Sequence, residues 1–207
     1  MREKDKDEFA RLPWRAHSLL AGVPLRSLYR IELPGGRASM TLADIAAITG
    51  FGGDAEMGAG RLTKALFDLR GFIGRLFDWD EAPALVEAVT YLKRLSVADY
   101  ESSQVKPGTA MGISRVLYRF EHEMLAEIIN RTVHCFWLLA ATPTDTGYAL
   151  YMAVYVKKLN WFTPIYMTLI TPVVKGIIYP AMLERARQRW LQAFPPLREK
   201  AQPAGVH

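Results

Sequence analysis

The stretch from Trp161 to Leu183 carries a single charge, Lys175. It exceeds the roughly 20 apolar residues that cross a bilayer as a helix, so it must be either a membrane span or an element buried inside the protein. Pro164, Pro172 and Pro180 recur in it at equal intervals. Each proline removes a backbone donor and strains a helix interior by about 3 kcal/mol. Thr163, Thr168 and Thr171 add polarity, and Lys175 would sit deep in hydrocarbon. From Glu184 to Trp190 the pattern becomes charged on one side, keeping Leu191 and Phe194 for packing, until Pro195-Pro196 stops it. The reading is a kinked helix, apolar nearly all round and then amphipathic, buried against other elements.

The chain has 207 residues, 50% hydrophobic and 23% charged, which is one domain's worth of core. The N-terminal run Met1 to Glu8 mixes charges and has no apolar segment of the secretory type; residues 1–12 and 196–207 read as flexible ends. The lone Cys135, set among Val133, Phe136 and Trp137, reads as a small buried hydrophobe in a reducing, cytoplasmic compartment. Net charge is +5, but the basic residues are interleaved with acids, and no nucleic-acid signature is present. The Arg185, Arg187 and Arg189 cluster reads as a solvated helix face.

Ser27 to Leu33 alternates as a half-buried strand and ends at Pro34-Gly35-Gly36. Thr41 and Asp44 form a capping-box pattern for a short helix ending at Gly50. Gly50 to Gly60 reads as a loop. Arg61 to Phe77 has helical spacing of Leu62, Leu66, Leu69, Ile73 and Leu76, and Pro83 opens another helix with Leu85, Val89 and Leu92 on one face. Ser96 to Gly112 is polar and turn-rich. Strands follow at Ser114–Glu123, Ala126–Ala140 and Tyr148–Lys158, with a loop from Thr142 to Gly147. Consecutive strands with short turns pair antiparallel. Strand, helices, antiparallel strands and a terminal helix make an α+β layout.

Several phrases resemble a known group: Trp14-Arg15-Ala16-His17, Arg30-Ile-Glu-Leu-Pro34, Leu66-Phe-Asp-Leu-Arg70-Gly-Phe-Ile-Gly74 with Asp78-Trp79-Asp80, Asn130-Arg131-Thr132-Val133-His134, Tyr148-Ala-Leu-Tyr151, and the stretch from Leu159 to Trp190. Together they resemble a family of uncharacterised function in the START-like, birch-allergen-like superfamily of SRPBCC proteins. The resemblance implies a helix-grip fold, in which a curved antiparallel β-sheet wraps around a long C-terminal α-helix with an internal apolar cavity. That fold needs two or three strands more than the alternation pattern supplies, and part of 80 to 113 is their expected source. The resemblance implies no catalytic residues.

If Ala126 to Ala140 is one strand, then Asn130, Thr132, His134 and Phe136 share a face, and Glu127 and Arg131 take the other, towards water. Tyr118, Phe120 and His122 share the inward face of the preceding strand. A few polar groups in an apolar pocket is the make-up of a small-molecule site. The expected proton-moving residues are His134, His122 and Tyr118. The expected ligand contacts are Phe120, Asn130, Thr132, Phe136, Met152, Tyr166 and Ile170. Each is weighed against an ordinary structural role.

Glu121, His122 and Glu123 cannot converge on a metal, because strand neighbours alternate sides; no metal site is expected. Gly53 to Gly58 starts like a phosphate loop but continues Ala59-Gly60, lacking the lysine and hydroxyl that loop requires. No nucleophile elbow is present and no cofactor is expected. The function this leaves is binding of a hydrophobic small molecule, lipid-like or polyketide-like, between sheet and C-terminal helix. One alternative is a cofactor-independent cyclase, dehydratase or isomerase acting on such a ligand by acid–base catalysis. Another is a peripheral lipid-interacting protein that uses the Trp161-Phe162 corner; neither a transmembrane span nor a nucleic-acid partner is expected.

Overall fold

A computed structural model describes residues 3–51, 87–112, 114–129, 133–159, 161, 168, 171–172 and 174–195. The fold is α+β, a six-stranded, curved antiparallel sheet with a C-terminal helix in the helix-grip arrangement. The strands are β1 (Leu25–Pro34), β2 (Ala110–Met111), β3 (Ser114–Arg119), β4 (Glu123–Ile129), β5 (Val133–Thr144) and β6 (Gly147–Lys158). Their order across the sheet is β1-β6-β5-β4-β3-β2.

Two of these strands come from one expected strand. The apolar run from Ala126 to Ala140 reverses between Ile129 and Val133, so that Ile129 pairs with His134 and Glu123 with Ala140. Only three polar residues, Asn130-Arg131-Thr132, separate the two apolar strands, and their alternation with the flanking residues reads as one continuous strand. The correction inverts the expected faces. Glu127, expected in water, is 1% exposed and lies on the same side of the sheet as His134. The expected strand Ser114–Glu123 also divides. It turns at Glu121 and His122, and Glu123 begins β4 as a buried residue.

The β5–β6 hairpin is the spine of the sheet, running in register from Val133↔Lys158 to Thr144↔Gly147 around Asp145-Thr146. Gly147 closes it with a φ of 152°, and a Cβ there would meet the Leu33 carbonyl oxygen at 2.2 Å. β1 joins β6 with Pro34 opposite Gly147, on the edge strand, where a missing N–H is tolerated. A bulge between Val116 and Tyr118 sets Leu117 and Tyr118 on one side of the sheet together.

The helices divide between the faces. On one side lie α1 (Glu3–Arg11), α2 (Arg15–Leu19), a 3₁₀ turn (Tyr91–Arg94) and α4 (Val97–Ser102). Their buried groups include Phe9, Trp14, Leu19 and Tyr91, packed on Leu125, Phe136, Leu138, Ala140, Tyr151 and Ala153. Thus the stretch 9–25 holds helical turns, and the expected polar, turn-rich stretch 96–112 holds α4 and β2. α4 is short and polar, and its signal is local: Ser96 and Asp99 form a full capping box.

On the other side lie α3 (Leu42–Thr49) and α5 (Tyr179–Ala193). α3 starts with the expected Thr41–Asp44 capping box and ends at Gly50 with φ 81°. α5 follows a π-helical turn, Val174–Ile178, and carries Pro180 in its first turn. It buries Leu183, Ala186 and Trp190, one helical stripe, against the sheet. Trp190 donates from Nε1 to the Pro34 carbonyl at 2.9 Å, and Lys175 donates from Nζ to the Arg26 carbonyl at 2.6 Å. Both bonds tie the C-terminal segment to the edge strand. Among the described residues no helix is long and apolar enough to cross a membrane. The expected helix Arg61–Phe77 lies outside them.

The contact at Gly147 yields a prediction. Gly147→Ala drives a methyl group into a backbone carbonyl, so it destabilises the fold by about 2–4 kcal/mol. Thermal unfolding followed by circular dichroism checks this, and a midpoint equal to wild type contradicts it.

Candidate functional site

Two buried glutamates on β4, Glu123 and Glu127, organise the face away from α5. They are four residues apart on a strand, so both project to the same side.

Glu123 works on α2. The residue before that helix, Trp14, offers no side-chain cap. The Glu123 carboxylate replaces it, accepting from the Arg15 N–H at 2.6 Å and the Ala16 N–H at 3.4 Å. Tyr118 donates its hydroxyl to the same carboxylate at 3.2 Å. Burial outweighs these donors and raises the Glu123 pKa above the usual carboxylate value. Burial, and then the Glu123 charge, raise the Tyr118 hydroxyl far out of reach of neutral pH. Tyr118 is a hydrogen-bond donor here rather than a proton source. Arg15 turns its guanidinium to Asp99, donating from Nε at 2.8 Å and Nη2 at 2.8 Å. Those bonds, with the Ser96 cap, lower Asp99 to about 2.

Glu127 holds the 3₁₀ turn. It accepts from the Thr90 hydroxyl, from the Tyr91 N–H at 3.0 Å and from His134 Nε2 at 2.9 Å. Thr90 itself accepts from the Leu92 N–H, so its hydroxyl hydrogen is directed to Glu127. His134 is 0% exposed, with the Tyr91 ring edge-on at 5.2 Å and Phe136 at 4.2 Å. Its Nδ1 is buried and has no hydrogen-bond partner among the described residues.

The face under α5 has different chemistry. Met40, Met124, Leu139, Leu150 and Met152 are buried there. Val133, Val154 and Val156 extend it, with Cys135, Trp137 and Tyr179 packed alongside. Phe51 lies 6.4 Å from the Trp137 ring. Burial pushes the Cys135 thiol up to about 12, which leaves it a small inert hydrophobe. The indole Nε1 of Trp137 is buried and unpartnered among the described residues.

The expected site residues are therefore separated. Tyr118, His134 and Phe136 lie on the face covered by α1, α2 and the 3₁₀ turn; Phe120, half-buried, stacks on Tyr118 at 4.3 Å. Met152 lies on the opposite face, under α5. His122 is exposed in the β3–β4 turn, 3.8 Å from Glu121, because the strand expected to carry it inward ends at Arg119. Asn130, Thr132, Tyr166 and Ile170 lie outside the described residues. Sequence reasoning missed Glu123, Glu127, Arg15 and Asp99. Glutamates at i and i+4 inside an apolar strand were the available signal. Among the described residues no group of three His, Cys, Asp or Glu side chains could hold a metal.

The carboxylates set opposite pH dependences. Asp99 has a folded pKa below its unfolded value of 3.8, so its stabilisation is present above that pH and is lost as pH falls from about 4 towards 2. Allowing for the partly exposed Arg15, that loss is about 1–2 kcal/mol and disappears in Asp99→Asn. Glu123 has a raised folded pKa, so its contribution is greatest below its unfolded value of 4.5 and declines as pH rises through the folded one. Glu123→Gln flattens that decline, whereas Glu123→Ala strands the α2 N–H groups and destabilises by about 2–3 kcal/mol. Urea unfolding from pH 2 to 8 reads all three; an Asp99→Asn curve parallel to wild type contradicts the first expectation.

The chain matches, over residues 19–182, the family described as protein of unknown function (DUF2867). No curated protein matches the chain. The matched span holds all six strands and the start of α5, while the Trp14–His17 phrase precedes it. More than half of the chain is covered, and the protein belongs to the DUF2867 family.

Proposed function

We propose that this is an SRPBCC-type helix-grip protein that binds a hydrophobic small molecule, lipid-like or polyketide-like, between the sheet and its C-terminal helix. The observation that carries the reading is the unpartnered Trp137 N–H on a face otherwise formed by methionine, leucine, valine and aromatic side chains. Apolar walls with one or two directed polar groups are what a small-molecule site needs. A buried donor without a partner is unfavourable unless an acceptor meets it. Methionines suit such a wall because their flexible thioethers adapt to an irregular guest. Six antiparallel strands with a terminal helix on one face support the superfamily assignment.

Binding is favoured over turnover of that ligand. Tyr118 and His134, the expected proton-moving residues, project from the opposite face, and His122 lies at an exposed turn. A ligand under α5 meets none of them.

Native mass spectrometry of the purified protein is expected to show a bound apolar molecule, and cis-parinaric acid is expected to bind saturably. Trp137→Phe removes the donor and weakens an acceptor-bearing ligand by about 3- to 10-fold. Met152→Glu buries a charge in the wall and abolishes uptake. Absence of any saturable uptake by the wild-type protein would reject the reading.

A further inference from the structure

On the face away from α5, the geometry points to a second binding site, at His134, for a small planar carboxylate that also carries a hydroxyl or N–H donor. It does not depend on the apolar-ligand reading.

The first element is the tautomer of His134. Glu127 already accepts from a hydroxyl and a backbone N–H, and the imidazole Nε2 lies 2.9 Å from it. The carboxylate therefore holds the ring with its hydrogen on Nε2, as second partners of an imidazole commonly do. In the neutral ring that leaves a bare lone pair on Nδ1. The atom is fully buried and has no partner among the described residues. A buried acceptor aimed at nothing calls for a donor, and the group that fits is an O–H or N–H of a guest.

The second element is charge. Lys157 is the cross-strand neighbour of His134 in the β5–β6 register, so both side chains rise from the same face. Lys157 Nζ lies 5.5 Å from the centre of the Tyr91 ring, and the guanidinium carbon of Arg94 lies 3.9 Å from it. Neither cation has a carboxylate within ion-pair distance among the described residues. Two cations on the aromatic ring that packs against the imidazole match a ligand that is anionic at one end and a donor at the other. Arg94 presents the planar fork that suits a carboxylate.

The third element is shape. The Tyr91 ring packs edge-on to the imidazole at 5.2 Å, lies 4.5 Å from Phe136 and carries both cations over it. Tyr91 belongs to a four-residue 3₁₀ turn, and its backbone N–H, not its ring, is bonded to the sheet through Glu127. In the proposal that ring rotates away, and a planar ligand takes its place against Phe136 and the imidazole. The site selects against a neutral apolar guest because Arg94 and Lys157 would stay unpaired, and against a carboxylate without a donor because Nδ1 would.

The test uses 4-hydroxybenzoate as the probe, with phenol and benzoate as controls. In the wild-type protein, ¹⁵N spectra of the His134 ring are expected to show Nε2 carrying hydrogen and Nδ1 bare. The Nδ1 signal should then move to saturation on adding 4-hydroxybenzoate, at lower concentration than with either control. His134→Gln is expected to weaken the probe about tenfold or more, the worth of one buried hydrogen bond. The Arg94→Gln/Lys157→Gln pair should weaken 4-hydroxybenzoate but leave phenol unchanged. A hydrogen on Nδ1 of the free wild-type protein would overturn the proposal, as would unmoved ring signals or equal probe affinity in His134→Gln. The wild-type spectra decide the matter even if the variants do not fold.

Discussion

The structure depends on two carboxylates that an apolar strand carries into the protein interior. Glu123 and Glu127 of β4 would each be strongly unfavourable if left without partners. Each is met by three donors, one from a neighbouring strand and two from a short covering segment that could not otherwise be held. α2 is too short to persist by its own propensity and lacks a side-chain cap. Its N-terminus is completed by a group from the sheet. The turn at Tyr91 has only four residues, and its first N–H is held the same way. Removing either glutamate therefore removes a whole covering segment's reason to sit where it does.

This arrangement gives the two faces of the sheet different chemistry. The face under α1, α2 and α4 is cross-linked by polar groups: the Tyr118–Glu123–Arg15–Asp99 chain at one end and the His134–Glu127–Thr90 cluster at the other. The face under α5 is held by shape and apolar contact, with Trp190 and Lys175 donating to the edge strand at its margin. Polar networks fix one geometry because each unmade bond is penalised, while methionine-rich packing tolerates rearrangement. The adaptable face is the one proposed to take an apolar guest. The network face is the one that holds the His134 ring in a single orientation.

Much of the secondary structure could be read residue by residue. The alternation around Ser27–Leu33 lies within β1, Thr41 and Asp44 form the capping box of α3, and Tyr148–Lys158 lies within β6. These signals are local, arising from period and capping chemistry within a few residues. The reversal between β4 and β5 is marked only by Asn130-Arg131-Thr132, and three polar residues between two apolar strands also read as positions within one strand. That one omission reversed the assignment of faces, since side chains alternate and a misplaced turn moves every later residue to the other side. The candidate site suffered accordingly. His134 and Tyr118 were legible as residues able to move protons, but their partners were not. Glu127 reads as water-facing because it shares a parity with Arg131 in a single strand, and charged residues ordinarily face water.

What the sequence alone determined is the α+β layout, the antiparallel pairing of consecutive strands, the capped start of α3, and a proline-marked C-terminal segment that leads into a packed helix. These follow from periodicity and from backbone chemistry, which act over short stretches of chain. Tertiary structure alone decided which carboxylates are buried, that Glu123 caps a helix 107 residues before it, and that His134 and Met152 face away from each other. Such facts rest on contacts between distant segments. Whether a glutamate is solvated or buried is set by the donors that surround it in space, and its neighbours in sequence carry no record of them.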